Sequence, residues 1–140
     1  MLLVTQGAPN AEEVLPGALD RLALAATARR FPFPSAVRDN SETAREPYDV
    51  WRARAVAAFP GFGYYNATQP VSEKVGEGEL VVGDAIDDLA DIAADLDHVL
   101  HLWPRSPELA LWEFQESFAA HWGLHLRSLQ LYLQSRPWGW

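Results

Sequence analysis

Cysteine is missing from all 140 residues. Its absence excludes disulfide frameworks, zinc ribbons, thiol nucleophiles and iron–sulfur clusters, and suits a reducing cytosol. Basic residues are scarce: 11 Lys and Arg against 19 Asp and Glu leave a net charge of −8 and a pI near 4.8. No cationic surface is large enough to gather phosphate backbones, so nucleic acid is not an expected partner. No apolar run approaches the ~20 residues that a bilayer span needs. Met1 to Glu13 holds no Lys or Arg ahead of an apolar stretch, so neither a membrane anchor nor an ordinary export signal is expected, and the expected location is the cytoplasm. There is no Walker-type glycine loop, G-x-S-x-G elbow, S-x-x-K, H-E-x-x-H or G-x-G-x-x-G motif, so serine-nucleophile, phosphate-loop and dinucleotide chemistry have no support. Gly61-Phe62-Gly63 is too little to signify, and Asn66-Ala67-Thr68 is a glycosylation pattern without an export signal.

What is present is apolar and aromatic: 49% and 11% of the chain, with six tryptophans. A chain of this size buries roughly 70% of its unfolded surface, which is enough for one helical domain over residues 1–140. No segment repeats or is of low complexity. Asn10, with Glu13 three residues on, reads as a capping box that opens a helix carrying Leu15, Leu19, Leu22 and Ala26. Pro16 either kinks that helix or starts a second one running to about Arg30, where Phe31-Pro32-Phe33-Pro34 ends it. After a polar connection from Asp39 to Arg45, Pro47 suits the opening of a helix with Tyr48, Trp51, Ala55 and Phe59 on one stripe, stopped by Pro60-Gly61. Between about 60 and 83 helical periodicity vanishes into a long irregular loop. Leu80-Val81-Val82 is a short extended piece there, but one strand cannot make a sheet, and Tyr64 and Tyr65 are the residues to anchor the loop.

Two strong helices follow. From Asp84 to about Trp103, the residues Leu89, Ile92, Leu96, Val99, Leu100 and Trp103 form one face, and Asp84, Asp87, Asp88, Asp91 and Asp95 form the other. Ser106-Pro107-Glu108 supplies an N-cap, a first-turn proline and an acid for the positive end of the helix dipole. The helix that follows is the longest in the chain. It runs to about Ser135 with Leu111, Phe114, Phe118, Trp122, His125, Leu129 and Leu133 as its stripe. The short connection forces these two helices antiparallel. The fold class is therefore all-α: a bundle of four to five helices ending in a long antiparallel hairpin.

Asp87-Asp88-Leu89-Ala90-Asp91-Ile92, Asp95-Leu96, Leu111-Trp112-Glu113-Phe114, Ser117-Phe118 and His121-Trp122-Gly123-Leu124-His125-Leu126 together form a pattern that resembles a domain-of-unknown-function family, the one numbered five thousand and sixty-three. The likeness is most specific over Gly83 to Leu133, with Tyr64-Tyr65 standing where relatives have Tyr-Trp. The resemblance implies an all-α bacterial protein of the cytoplasm. It implies no activity and carries over no catalytic residue.

The aspartate row is the most informative feature. Like charges three and four residues apart cost ~0.2–0.5 kcal/mol per pair, and aspartate is a poorer helix former than glutamate. The first-turn dipole accounts for Asp84, Asp87 and Asp88 but not for Asp91 and Asp95. A solvated or arginine-paired face is the plain reading, and short carboxylates aimed at a shared cation is the sharper one. His121 and His125 lie one turn apart and face the same way. With the turn centred near Arg105, and ~1.5 Å of rise per residue in each helix, His125 stands level with Asp84 or Ala85 and His121 with Asp88 or Leu89. The plain outcome is a histidine held at the core edge by a carboxylate; the sharper one makes both rings metal ligands. Glu113 and His125 differ by about 120° on the wheel, so they do not belong to one site.

Gly123 is anomalous, because glycine inside a helix costs ~1 kcal/mol relative to alanine. Ala119 and Gly123 read as a notch for close packing within the chain, with a local bend as the alternative and a homodimer contact second. Trp112 projects off the stripe, so it packs under the long loop or marks a partner surface. Trp138 and Trp140 follow the last helix; an unpacked aromatic tail would be adhesive, and they are expected to fold back or meet another subunit.

Two function classes compete. The first is a module acting through a protein partner or a second copy of itself, with Trp112, Gly123, Trp138 and Trp140 as its surface and no cofactor. The second is a metal-dependent hydrolase. Its functional cluster is Asp87, Asp88, Asp91, Asp95, His121 and His125, with Asp88, Asp91, His121 and His125 as ligands. Carboxylates alone suit Mg²⁺ or Mn²⁺, and two imidazoles move the preference to Mn²⁺, Fe²⁺ or Zn²⁺.

Overall fold

A computed structural model describes residues 11–35, 44–68 and 71–136. Helix α1 spans Ala11–Thr27, α2 Tyr48–Ala58, α3 Ala85–Leu102, α4 Pro107–Ser117 and α5 Gly123–Ser135. Strands β1 (Tyr64–Thr68) and β2 (Leu80–Asp84) stand between α2 and α3, and a single π turn, Phe118–Trp122, joins α4 to α5. The protein is thus predominantly α-helical, as its apolar periodicity predicts. No described helix is long and apolar enough to cross a membrane.

Pro16 lies inside α1, which passes through it unbroken. Lacking an N–H, the proline leaves the Glu12 carbonyl without its helical donor. Leu15, Leu19, Ala23 and Ala26 form the buried face of this helix. The expected capping residue Asn10 lies outside the described residues. The other end of α1 is closed by a residue far away in sequence: the Gln115 side chain accepts from Phe31 N at 2.7 Å and donates to the Ala26 carbonyl at 3.0 Å and to the Arg29 carbonyl. Gln115 is buried, and these bonds are what permits a polar side chain there.

The segment from 60 to 83 is not irregular throughout, since Tyr64–Thr68 and Leu80–Asp84 are strands. β1 pairs antiparallel with β2 in a register that sets Tyr65 opposite Gly83 and Asn66 opposite Val82. Tyr64-Tyr65-Asn66-Ala67-Thr68 has one polar, exposed face, and eleven residues separate it from its partner. Neither the alternation nor a tight-turn signal was therefore strong enough to mark a hairpin. Two strands are marginal alone, and here helix packing supports them. The Tyr65 ring lies on Tyr132 with centroids 5.3 Å apart, Phe62 meets Tyr132 at 5.5 Å, and Gly63 N donates to the Tyr132 hydroxyl at 3.2 Å. Gly83 is required by the pairing, since a Cβ there would stand 2.2 Å from Tyr65 Cζ.

α3 opens with Asp84 as its N-cap, accepting from Ile86 N at 3.0 Å. It buries Ile86, Leu89, Ile92, Ala93 and Leu96 against Trp51, Ala55 and Phe59 of the α2 region and against Trp122, Leu126 and Leu129 of the last rod. Leu100 and Trp103, expected on the buried face, are 59% and 48% exposed. Ser106 caps α4 through Leu109 N.

The rod from Pro107 to Ser135 is interrupted where Gly123 N donates to the Phe118 carbonyl, five residues back. A Cβ on Gly123 would stand 2.3 Å from that same carbonyl oxygen. Gly123 is buried while Ala119 is exposed, so the two do not form a notch for another helix. The glycine serves the π turn of its own backbone. The turn also lets Trp122 enter the core completely, its indole N–H donating to Ser117 Oγ at 2.9 Å between the rings of Phe114 and Phe118.

Helix propensity alone would make Gly123→Ala stabilising by ~1 kcal/mol. The backbone collision reverses that sign, and the variant is expected to lose about 1–3 kcal/mol in urea denaturation. Gly63→Ala, which adds a Cβ with nothing within 4 Å, stays close to wild type in the same assay.

Candidate functional site

The aspartate row of α3 faces α2, the hairpin and α5, and each carboxylate is engaged by a side chain from one of them or by Arg45. Asp84, besides capping α3, pairs with Arg52 at 3.0 Å. Asp87 accepts from the Tyr48 hydroxyl. Asp88, only 6% exposed, accepts from the Tyr65 hydroxyl at 2.5 Å and contacts His125 Nδ1 at 2.8 Å. Asp95 contacts His121 Nδ1 at 2.7 Å and lies 3.9 Å from Arg45. Asp91 approaches His125 Nε2 at 3.4 Å.

The two imidazoles meet edge to face, with centroids 4.9 Å apart. One nitrogen of each and a carboxylate oxygen of Asp91 all lie within 4.8 Å of one another. Since both Nδ1 atoms are engaged by Asp88 and Asp95, the nitrogen that each ring has left is Nε2. A ring N–H donated to a carboxylate fixes the tautomer and leaves the opposite nitrogen bare, as in carboxylate–histidine–metal arrangements. Ligand atoms sharing one ion at ~2.1 Å stand about 3–4 Å apart, which small side-chain rotations reach from this arrangement.

The helix hairpin does bring acid and imidazole together, but at a different level from the one that counting from Arg105 gives. His125 meets Asp88 and Asp91 rather than Asp84 or Ala85, and His121 meets Asp95 rather than Asp88 or Leu89. The partners lie about one to two turns nearer the connection. Two physical effects account for the shift. The π turn spends an extra residue without a matching rise. Helical side chains also lean toward their own N-terminus, which on antiparallel helices sends the histidines toward the connection and the aspartates away from it. Of the four expected ligands, Asp91, His121 and His125 converge, while Asp88 stands on the far side of the His125 ring, at Nδ1. Asp95 has the equivalent place beside His121. Asp87 is drawn aside to Tyr48.

Tyr65 is the site residue that sequence reading treated only as a loop anchor. No local pattern points to it, because its place opposite Gly83 exists only in the strand pairing. Burial, then the hydrogen bond to Asp88 and the charge of Asp88, push its phenol well up from the usual tyrosine range, so it remains a donor. The hydrogen bond to Asp88 raises the His125 pKa above its ordinary 6.5 against the opposing effect of burial, and Asp91 adds to the rise. Burial raises Asp91 itself, partly offset by the charge of His125. His98, near Arg45 and Glu113, is shifted the other way by burial and by the Arg45 charge, and its Nδ1 is enclosed without a hydrogen-bond partner.

The residues expected to offer a partner surface lie elsewhere. Trp112 meets Phe33 edge-on at 4.9 Å, Gly123 is inside the rod, and Trp138 and Trp140 lie outside the described residues.

In an NMR pH titration of metal-free protein, His125 is expected to titrate above 6.5 and His98 below it. Because the folded-state value of His125 is raised, its pairing with Asp88 stabilises the fold fully below about pH 6.5. That contribution is lost as pH rises through the folded pKa. Asp88→Asn is expected to bring the His125 midpoint down toward the ordinary value and to flatten this part of the stability profile in chelator.

A family model described as Domain of unknown function (DUF5063) matches residues 35–136, and the chain belongs to that family. No curated protein matches, and neither does any solved structure.

Proposed function

We propose that this member of the family binds a divalent first-row transition-metal ion through Asp91, His121 and His125. The observation that carries the reading is the pair of Nδ1 contacts. Asp88 at 2.8 Å and Asp95 at 2.7 Å each hold one ring by Nδ1, His125 Nε2 lies 3.4 Å from Asp91, and one nitrogen of each ring stands within 4.8 Å of an Asp91 oxygen. A solvated acidic face needs no such arrangement, and a structural histidine needs one carboxylate rather than two rings each with its own.

Two imidazoles and one carboxylate suit Mn²⁺, Fe²⁺ or Zn²⁺ over Mg²⁺, which prefers oxygen ligands and resists dehydration. Three protein ligands leave further positions to water, the pattern of open rather than closed metal centres. The His121 side chain is 50% exposed, which keeps the site reachable from solvent. Surplus negative charge from Asp87, Asp88 and Asp95 around the cluster lowers the energy of a dication there and would otherwise be repulsive. Association with another protein, or as a homodimer, has less support, since Trp112 and Gly123 are both engaged within the chain.

Protein purified without chelator and then loaded with Mn²⁺ or Zn²⁺ is expected to hold one ion per chain by elemental analysis. At an ion concentration about a hundred times Kd, binding should add about 2.7 kcal/mol, roughly 10 °C in melting temperature. Asp91→Ala, His121→Ala and His125→Ala should each abolish that shift, while Asp87→Ala, which removes a nearby charge but no ligand, should only reduce it. A wild-type melt unmoved by either ion would overturn the reading.

A further inference from the structure

We propose that Tyr65, reaching in from the β-hairpin, is a positioning residue of the ion site: it clamps Asp88 so that Asp88 fixes the tautomer of His125. The inference rests on the metal-binding reading for its purpose but not for its geometry. Asp88 is a carboxylate buried in the protein, and a buried charge is retained only where donors converge on it. Its two oxygens are divided between two donors: Oδ2 takes the Tyr65 hydroxyl and Oδ1 faces His125 Nδ1. Without the phenol, the carboxylate has a free oxygen and a free rotation about its last bond, and the imidazole loses a fixed acceptor.

The hairpin is built around this contact. The cross-strand partner of Tyr65 is Gly83, and any side chain at 83 would overlap the phenol ring. The ring is supported from below by Tyr132. β2 runs directly into α3, with Asp84 as both its last residue and the N-cap of the helix. The strand that makes room for the phenol therefore also sets the start of the helix carrying Asp88 and Asp91. None of these bonds joins Tyr65 to His125 or Asp91, so its hydroxyl reaches the ion site through Asp88, while its other side-chain partner, Ser128, lies one turn beyond His125 on α5.

The test is the tautomer of His125, read from long-range proton–nitrogen NMR of metal-free protein at a pH where the ring is neutral, together with Zn²⁺ calorimetry. Wild type is expected to show Nδ1 protonated and Nε2 bare. In Tyr65→Phe, which keeps the ring and its packing, the population should move toward the Nε2-protonated form ordinarily preferred in water. Zn²⁺ affinity should fall about 10-fold, the low end of what loss of an outer hydrogen-bond partner costs. Gly83→Ala displaces the phenol without removing it and should produce the same tautomer change, which keeps the test intact if Tyr65→Phe folds poorly. A His125 tautomer unchanged in both variants overturns the positioning role. If the tautomer moves but wild type takes up no Zn²⁺, the positioning role stands and the metal-binding reading is the one that falls.

Discussion

A carboxylate enclosed in protein must be hydrogen-bonded or it will not stay charged, and Asp88 meets that demand with donors from two other parts of the chain. The Tyr65 hydroxyl comes from the hairpin and the His125 ring from α5. Three elements far apart in sequence are thereby fixed to one another by the satisfaction of a single charge. The apolar core brings α3 and α5 together without regard to detail, since leucine and tryptophan faces tolerate small sliding and rotation. The Asp88 contacts do not, and they set the rotation of each element about its own axis. Where Asp91 and His121 then stand relative to His125 is a consequence of that setting.

The π turn contributes in a different way. Adding one residue to a single turn changes the phase of everything beyond it, so α5 meets α3 with a face rotated from the one that α4 presents. The glycine at 123 is the local requirement of that change, because the widened turn brings the Phe118 carbonyl where a Cβ would be. Such single-turn bulges recur at functional sites for this reason: they redirect side chains while keeping the backbone bonded.

The helices were legible because each carried a strong period of its own. Trp51, Ala55 and Phe59, or Leu89, Ile92 and Leu96, report burial directly, and Asp84 and Ser106 mark starts that the structure keeps. That aspartates and histidines would meet was legible from the hairpin of helices, and the particular pairs were not, because residue counting assumes an uninterrupted rise that the π turn breaks. The hairpin of strands was hidden for a related reason. Its stability lies in Tyr65 resting on Tyr132 and in Gly83 yielding space, relations between distant residues that no local window contains. Gln115 was likewise unreadable, since a glutamine on a helix says nothing of the carbonyls it will meet.

Gln115 also bears on how the chain comes together in time. The carboxyl end of α1 has its carbonyls at Ala26 and Arg29 bound by a side chain that follows them by more than eighty residues. While the chain is being synthesised, α1 emerges long before that side chain exists, and helices of its length are marginal in water by themselves. The carbonyls at that end must remain hydrated until residue 115 has been made. α1 is therefore completed by the rod that holds Gln115, so a nascent chain halted before residue 115 would lack the means to finish that helix.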